Sequence, residues 1–116
     1  MLEWIGNAMD KRFFGPWYID EMEVWDSNDL DLLGPANITF DDDGYGSVQF
    51  VAVLGFIDCE FSERNGFPLV DFSWQGNDDN DLASGRGWAV IERNGKMRGH
   101  IFIHYADNSA FTAKRG

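Results

Sequence analysis

The sequence predicts an all-β domain, an antiparallel up-and-down meander that closes into a barrel of seven or eight strands, with a short helix at its N-terminus. Three observations predict it. After residue 12 helical periodicity is nearly absent, and runs rich in Val, Ile, Phe, Tyr and Trp alternate with polar residues at the two-residue period of a strand. Tight Gly-containing turns, Asp43-Gly44, Asn65-Gly66 and Asn94-Gly95, follow one another at the spacing of successive hairpins. Aromatic residues make up 16% of the chain, with ten Phe and five Trp. That much apolar area needs a buried face, and no helices are there to cover one. Curling the sheet on itself buries the face and removes the sheet edges. A β-sandwich fits less well, because tight turns join most neighbouring strands.

The elements follow in order. Residues 1–12, MLEWIGNAMDKR, form about two helical turns with Trp4, Ile5, Ala8 and Met9 on one side, as a barrel plug or a frayed arm. The first strand spans 16–25 and poses a problem. Trp17, Ile19, Glu21, Glu23 and Trp25 share one face, while Tyr18, Asp20, Met22 and Val24 share the other. Neither face is clean. Inward glutamates are costly unless they are paired or solvated. A bulge near residue 20 would swap the faces and turn them out. A loop at 26–36 carries one helical turn at 28–33, capped by Ser27, Asn28 or Asp29 and stopped at Gly34-Pro35. A strand at 36–40 turns at 41–46 into a long strand at 47–61, which Gly55 bends or splits. A turn at 62–66 leads to a strand at 68–76. The polar stretch 77–85 reads as a loop, long enough to act as the lid of a barrel mouth. Strands at 86–93, 96–106 and 110–115 complete the meander, with turns at Asn94-Gly95 and 107–109.

The formal net charge is −11. From Phe13 to Glu63 there is no Lys or Arg against twelve acids, whereas from Arg64 onward the signs nearly balance. Such a surface repels nucleic acid and anionic membranes and attracts a basic protein partner. A plainer role is to keep a hydrophobic barrel soluble and its edges blunt. No apolar run reaches the length of a membrane span, and the first residues lack the pattern of a signal peptide. Cys59 is the only cysteine, so no internal disulfide forms. A cytoplasmic location in a bacterium-like cell is expected. The oligomeric state stays open, a homodimer included.

Gly15-Pro16-Trp17 at the first strand is a G-x-W motif, and Lys114 and Arg115 lie on the last strand. On these residues the chain resembles the calycin superfamily of lipocalins, fatty-acid-binding proteins and avidins. The resemblance implies a calycin-like barrel in which Trp17 plugs the closed end and Lys114 or Arg115 covers it. The chain also resembles small bacterial proteins of unassigned function that share the blocks EMEVWD, LLGPA, FSWQGNDDND, GRGW and HYADNSAF, over about residues 13 to 115. That likeness supports the fold and carries no chemistry.

Four features are candidates for function. Glu21 and Glu23, if they stand at a barrel mouth, would meet Arg86, Arg98, a histidine or a polar ligand. On the strand at 96–106, His100 and His104 share the outward face with Arg98, Phe102 and Ala106, and Met97, Gly99, Ile101, Ile103 and Tyr105 form the inward one. Two histidines four apart on a strand stand about 13 Å apart, too far to hold one metal. His104, Asp107 and Ser109 have the types of a triad but no nucleophile elbow. The favoured reading is that Asp107 and Ser109 build a turn and His104 pairs with an acid. Residues 77–81 are rich in oxygen ligands, yet Leu82 and Trp88 break the EF-hand pattern. Arg86 would tie that loop down by a salt bridge. Trp74, Trp88, Phe72, Phe50 and Tyr105 are core or mouth aromatics. No dinucleotide fingerprint, P-loop or Cys/His cluster occurs, so no cofactor and no metal is expected. The expected function is non-catalytic: a small molecule held at the barrel mouth by Glu21, Glu23, Trp25, Trp74, Arg86, Trp88 and His104. The alternative is an acidic protein that covers a basic surface on a toxin, nuclease or other nucleic-acid-binding protein.

Overall fold

Each strand pairs antiparallel with the next in sequence, and the last pairs with the first, closing a barrel. The computed structural model describes residues 9–116. The strands are β1 (Gly15–Met22), β2 (Asn37–Phe40), β3 (Tyr45–Phe50), β4 (Val53–Arg64), β5 (Phe67–Asp78), β6 (Asp81–Ile91), β7 (Met97–Ile103) and β8 (Asn108–Arg115). A short helix, α1 (Ser27–Leu30), lies between β1 and β2. Most of the helix expected over 1–12 falls outside the described residues. What is described of it is one 3-10 turn, Lys11–Phe13, capped by the Asp10 carboxylate.

The clash of faces on β1 is resolved by a bulge. Ile19 pairs with Ala113 and Glu21 with Thr112, so Asp20 is an extra residue. Trp17 and Ile19 point inward before it and Met22 after it. Glu21 and Glu23 are both exposed. Asp20 accepts a hydrogen bond from the Thr112 hydroxyl, and Lys96 Nζ lies 3.7 Å from its carboxylate.

Two boundaries differ from the sequence expectation. The stretch 77–85 is not a loop. β5 and β6 continue through it to a two-residue turn at Asp79-Asn80, with Gln75 opposite Ser84 and Asn77 opposite Leu82. Asp79 takes a left-handed φ of 58°, which a short polar side chain tolerates. The long strand at 47–61 splits at Val51-Ala52 and not at Gly55. Val51 has φ 52°, a strained value for a β-branched residue. Its N–H donates to the Leu30 carbonyl at 2.8 Å, which ties the turn to α1. The cap of α1 is Asp26, whose side chain accepts from Asn28 N–H at 2.9 Å.

Both barrel ends carry large side chains. At the lower end Phe13 and Trp17 are buried, and Trp17 Nε1 donates to the Phe13 carbonyl at 2.9 Å. The Arg115 guanidinium lies 4.1 Å from the Trp17 ring centroid. It also donates to the Phe14 and Arg12 carbonyls. At the upper end, Trp25 packs on Phe50 with ring centroids 5.3 Å apart, and Leu30 is buried beside the β3–β4 turn.

Between the ends the interior is filled by a fit of glycines to rings. A Cβ on Gly55 would stand 2.8 Å from Trp74 Cε3, one on Gly99 2.6 Å from Phe111 Cζ, and one on Gly87 would run into the Phe72 ring. Each inward glycine leaves the volume that a neighbouring strand's aromatic occupies. Gly87→Ala should therefore overpack the core and cost about 1–3 kcal/mol, read as a lower urea midpoint at unchanged slope. Adding Phe72→Leu should restore part of that loss; a Gly87→Ala chain as stable as wild type would contradict the fit.

Candidate functional site: a groove on the outer face of β4 to β7

The register of β3 to β7 sets two rows of outward side chains side by side. Tyr45 pairs with Asp58, Asp58 with Ser73, Ser73 with Arg86 and Arg86 with Phe102. The next row runs from Phe56 to Gln75 to Ser84. It ends at His104, whose N–H donates to the Ser84 carbonyl at 2.7 Å. These rows line a groove of about 1010 Å³. A second hollow of about 520 Å³ adjoins it, shares Phe56, Gln75, Ser84, His104 and Tyr105, and reaches Leu82 near the β5–β6 turn.

The groove is apolar at its sides and polar along its floor. Phe56 is 76% exposed, Leu82 92% and Tyr105 96%. Exposed large apolar side chains gathered in one place, and not scattered singly, mark a surface built for contact. The floor offers the hydroxyls of Ser73 and Ser84, the Gln75 amide and the His104 imidazole. Beneath it, Trp74 is buried and its indole N–H donates to the Phe102 carbonyl at 3.1 Å. The Arg86 guanidinium lies 5.4 Å from the Phe102 ring centroid. Among the described residues no carboxylate lies within 4.0 Å of Arg86, and no cation lies within 4.0 Å of Asp58.

Of the seven residues expected to share a site, Trp74, Arg86 and His104 come together here. The others do not join them. Glu21 stands outside the barrel opposite Thr112. Glu23 stitches β1 to β8: its N–H donates to the Ala110 carbonyl at 3.0 Å, and its carboxylate accepts from Ala110 N–H at 3.1 Å. Trp25 covers the upper barrel end. Trp88 lies lower on the outer face, between the guanidinium groups of Arg64 and Arg98 at 5.1 and 5.5 Å.

Several smaller expectations change as well. Arg86 makes no salt bridge to 77–81, because those residues are strand and turn. Tyr105 is not inward but sits in the β7–β8 turn at φ 65°, with its ring 4.0 Å from that of His104. His104 pairs with no acid among the described residues. His100 Nε2 and Asn108 Oδ1 are 2.8 Å apart across β7 and β8. Ser109 is fully buried and holds the end of β1: its hydroxyl accepts from Val24 N–H at 3.1 Å and donates to the Ala110 carbonyl at 2.9 Å. That leaves it no access to a substrate, so the triad reading has no support in the geometry. No three His, Cys, Asp or Glu among the described residues gather as a metal site.

Sequence reasoning missed Tyr45, Phe56, Asp58, Ser73, Gln75 and Ser84. One signal was available. On β4 the inward set is Val53, Gly55, Ile57, Cys59 and Phe61, so Leu54 and Phe56 are apolar residues in the outward phase. Compared with known protein families, curated proteins and solved structures, the chain matches none of them.

Cys59, inward on β4, borders a further hollow that shares Tyr45, Asp58 and Ser73 with the groove. Burial pushes its thiol from 9.0 up to about 12, and the carboxylates of Asp58, Asp41 and Asp43 push the same way. The folded chain thus holds a proton that the unfolded chain releases near 9.0, so this group lowers stability as pH rises from there toward about 12. Reactivity follows from thiolate content. At pH 8, iodoacetamide should leave Cys59 of the folded protein unmodified while alkylating the urea-unfolded chain. Equal rates in the two states would show the thiol to be accessible.

Proposed function

We propose that the protein is a non-catalytic binding protein, a calycin-like barrel whose small-molecule site is the outer groove on β4 to β7. One observation carries the reading: exposed aromatic side chains flank a polar floor on which Arg86 has no carboxylate within 4.0 Å among the described residues. Pockets for small molecules have this composition, mostly apolar with a few placed polar groups. A site at a barrel mouth has less support, because Trp17 and Arg115 cover one end and Trp25 and Leu30 the other. The stacking of Arg115 on Trp17 supports the calycin-like assignment, since it places a late basic residue over the tryptophan of the G-x-W motif. The lone buried thiol fits a reducing cytoplasm.

Phe56→Ser tests the groove. At 76% exposure the residue contributes little packing, so stability should change by no more than about 0.5 kcal/mol. Aromatic fragments screened by backbone-amide NMR should shift residues 54–58, 73–76, 82–86 and 102–105 in the wild type and lose those shifts in the variant. Fragments that perturb only inward residues would return the site to the barrel interior.

A second reading, an acidic protein that covers a basic partner, is favoured by the separation of charge in the fold. The segment from Phe13 to Glu63, which holds no Lys or Arg, forms β1 to β3, their connections and all of β4 but its last residue, Arg64. A complex formed there should dissociate between about 0.05 and 0.5 M salt, because screening of exposed charge is nearly complete at the higher value. Retention of a purified complex in high salt would exclude that mode.

A further inference from the structure

We infer that the groove takes a dipolar aromatic small molecule, with an oxyanion on Arg86 and a protonated amine on Asp58. This rests on the groove reading above and names its ligand class. Two charges in the groove are left without a charged partner among the described residues. Arg12, Lys96 and Arg98 each stand within 4.0 Å of a carboxylate. Arg86, like Lys11, Arg64, Arg93, Lys114 and Arg115, does not, and of these six it is the one that lines the groove. It stacks instead on Phe102 of β7. A stacked guanidinium spends its face on the ring and keeps its in-plane N–H donors for a planar oxyanion.

Asp58 lies in the same row on the far side of Ser73. Two strand spacings separate the two backbones, about 10 Å. Phe102 lies on the opposite side of β6 from Asp58, so the stack draws Arg86 away from the carboxylate. The two charges therefore do not neutralise each other. They present a fixed dipole across the floor, with Tyr45 and Phe56 beside the negative end and Phe102 beside the positive one.

Net charge then decides what kind of ligand suits this dipole. A field from −11 charges opposes a simple anion. A ligand that carries both signs feels no such net repulsion and satisfies both groups at once. A flat ring between its charged ends would stack on the aromatic walls.

The test compares three probes of one shape by backbone-amide NMR: 4-(aminomethyl)benzoate, 4-methylbenzoate and 4-methylbenzylamine. The expected result is groove shifts with the dipolar probe at least about tenfold tighter than either singly charged one. Arg86→Gln should weaken the dipolar probe to the level of the amine, and Asp58→Asn to the level of the benzoate. Both positions are exposed, and retained spectral dispersion checks that the variants fold. If all three probes bind the groove equally, or if the dipolar preference survives Arg86→Gln, the inference fails and the groove reading stands. If no probe shifts the groove amides, both fall.

Discussion

The fit of rings to glycines inside the barrel is the constraint on which the remaining features depend. An eight-stranded barrel encloses a space just wide enough for side chains. Here that space is taken by Trp17, Phe40, Phe50, Phe61, Phe72, Trp74 and Phe111, all buried. So many large rings cannot all point into so narrow a tube unless their cross-strand neighbours give way. Gly55, Gly85, Gly87 and Gly99 do so, and they fall on β4, β6 and β7, the strands beside the rings of β5 and β8. Interiors packed at this density do not readily open to a guest. The same filling that stabilises the fold thus leaves the groove of β4 to β7 on the outer face.

The outside is not uniform, because the strands differ in length. β4 and β5 run for 12 residues each and β6 for 11, whereas β2 has 4 and β7 has 7. β6 pairs with β7 only from Gly85 onward, so Asp81 to Ala83 continue past the top of β7. That excess sets Leu82 beside the β7–β8 turn, where Tyr105 and His104 stand. A strand edge left free in this way invites pairing with another chain, and Asp81 in the edge opposes it. The groove is therefore a product of register: a long hairpin overhanging a short strand makes a hollow that matched strands would not.

Much of the architecture was legible in the sequence. Turn dipeptides and two-residue alternation locate most strands. The two misread boundaries have physical causes. Residues 77–85 are polar on both faces near the hairpin tip, so no apolar period distinguishes strand from loop. Glycine weakens strands, which marks Gly55 as a bend or break in the sequence, whereas in the fold it leaves room for Trp74. The site was less legible. Trp74, Arg86 and His104 draw attention by type, but Asp58, Ser73 and Gln75 are ordinary surface residues until cross-strand register sets them together. For Glu21 and Glu23 the sequence leaves two readings, a site at a barrel mouth or a bulge near residue 20, and the register shows the bulge. Their pattern records a bulge, a backbone event that repositions side chains without changing their identity.

The bulge also links the closure of the barrel to its charge. Without the extra residue at Asp20, Met22 would face out and Glu21 in, which would place a carboxylate among Phe111 and its neighbours at a cost of several kcal/mol. With it, Asp20 is set where the Thr112 hydroxyl and Lys96 meet it, and Glu23 reaches the backbone of Ala110. Asp20 on β1 and Glu23 just past its end are thereby engaged in joining the first strand to the last. Some of the described acids hold the barrel shut, such as Asp20 and Glu23, and others, such as Asp58, stand more than 4.0 Å from any described cation. Asp58 is the one acid that lines the groove with Arg86, and neither has a charged partner within 4.0 Å among the described residues.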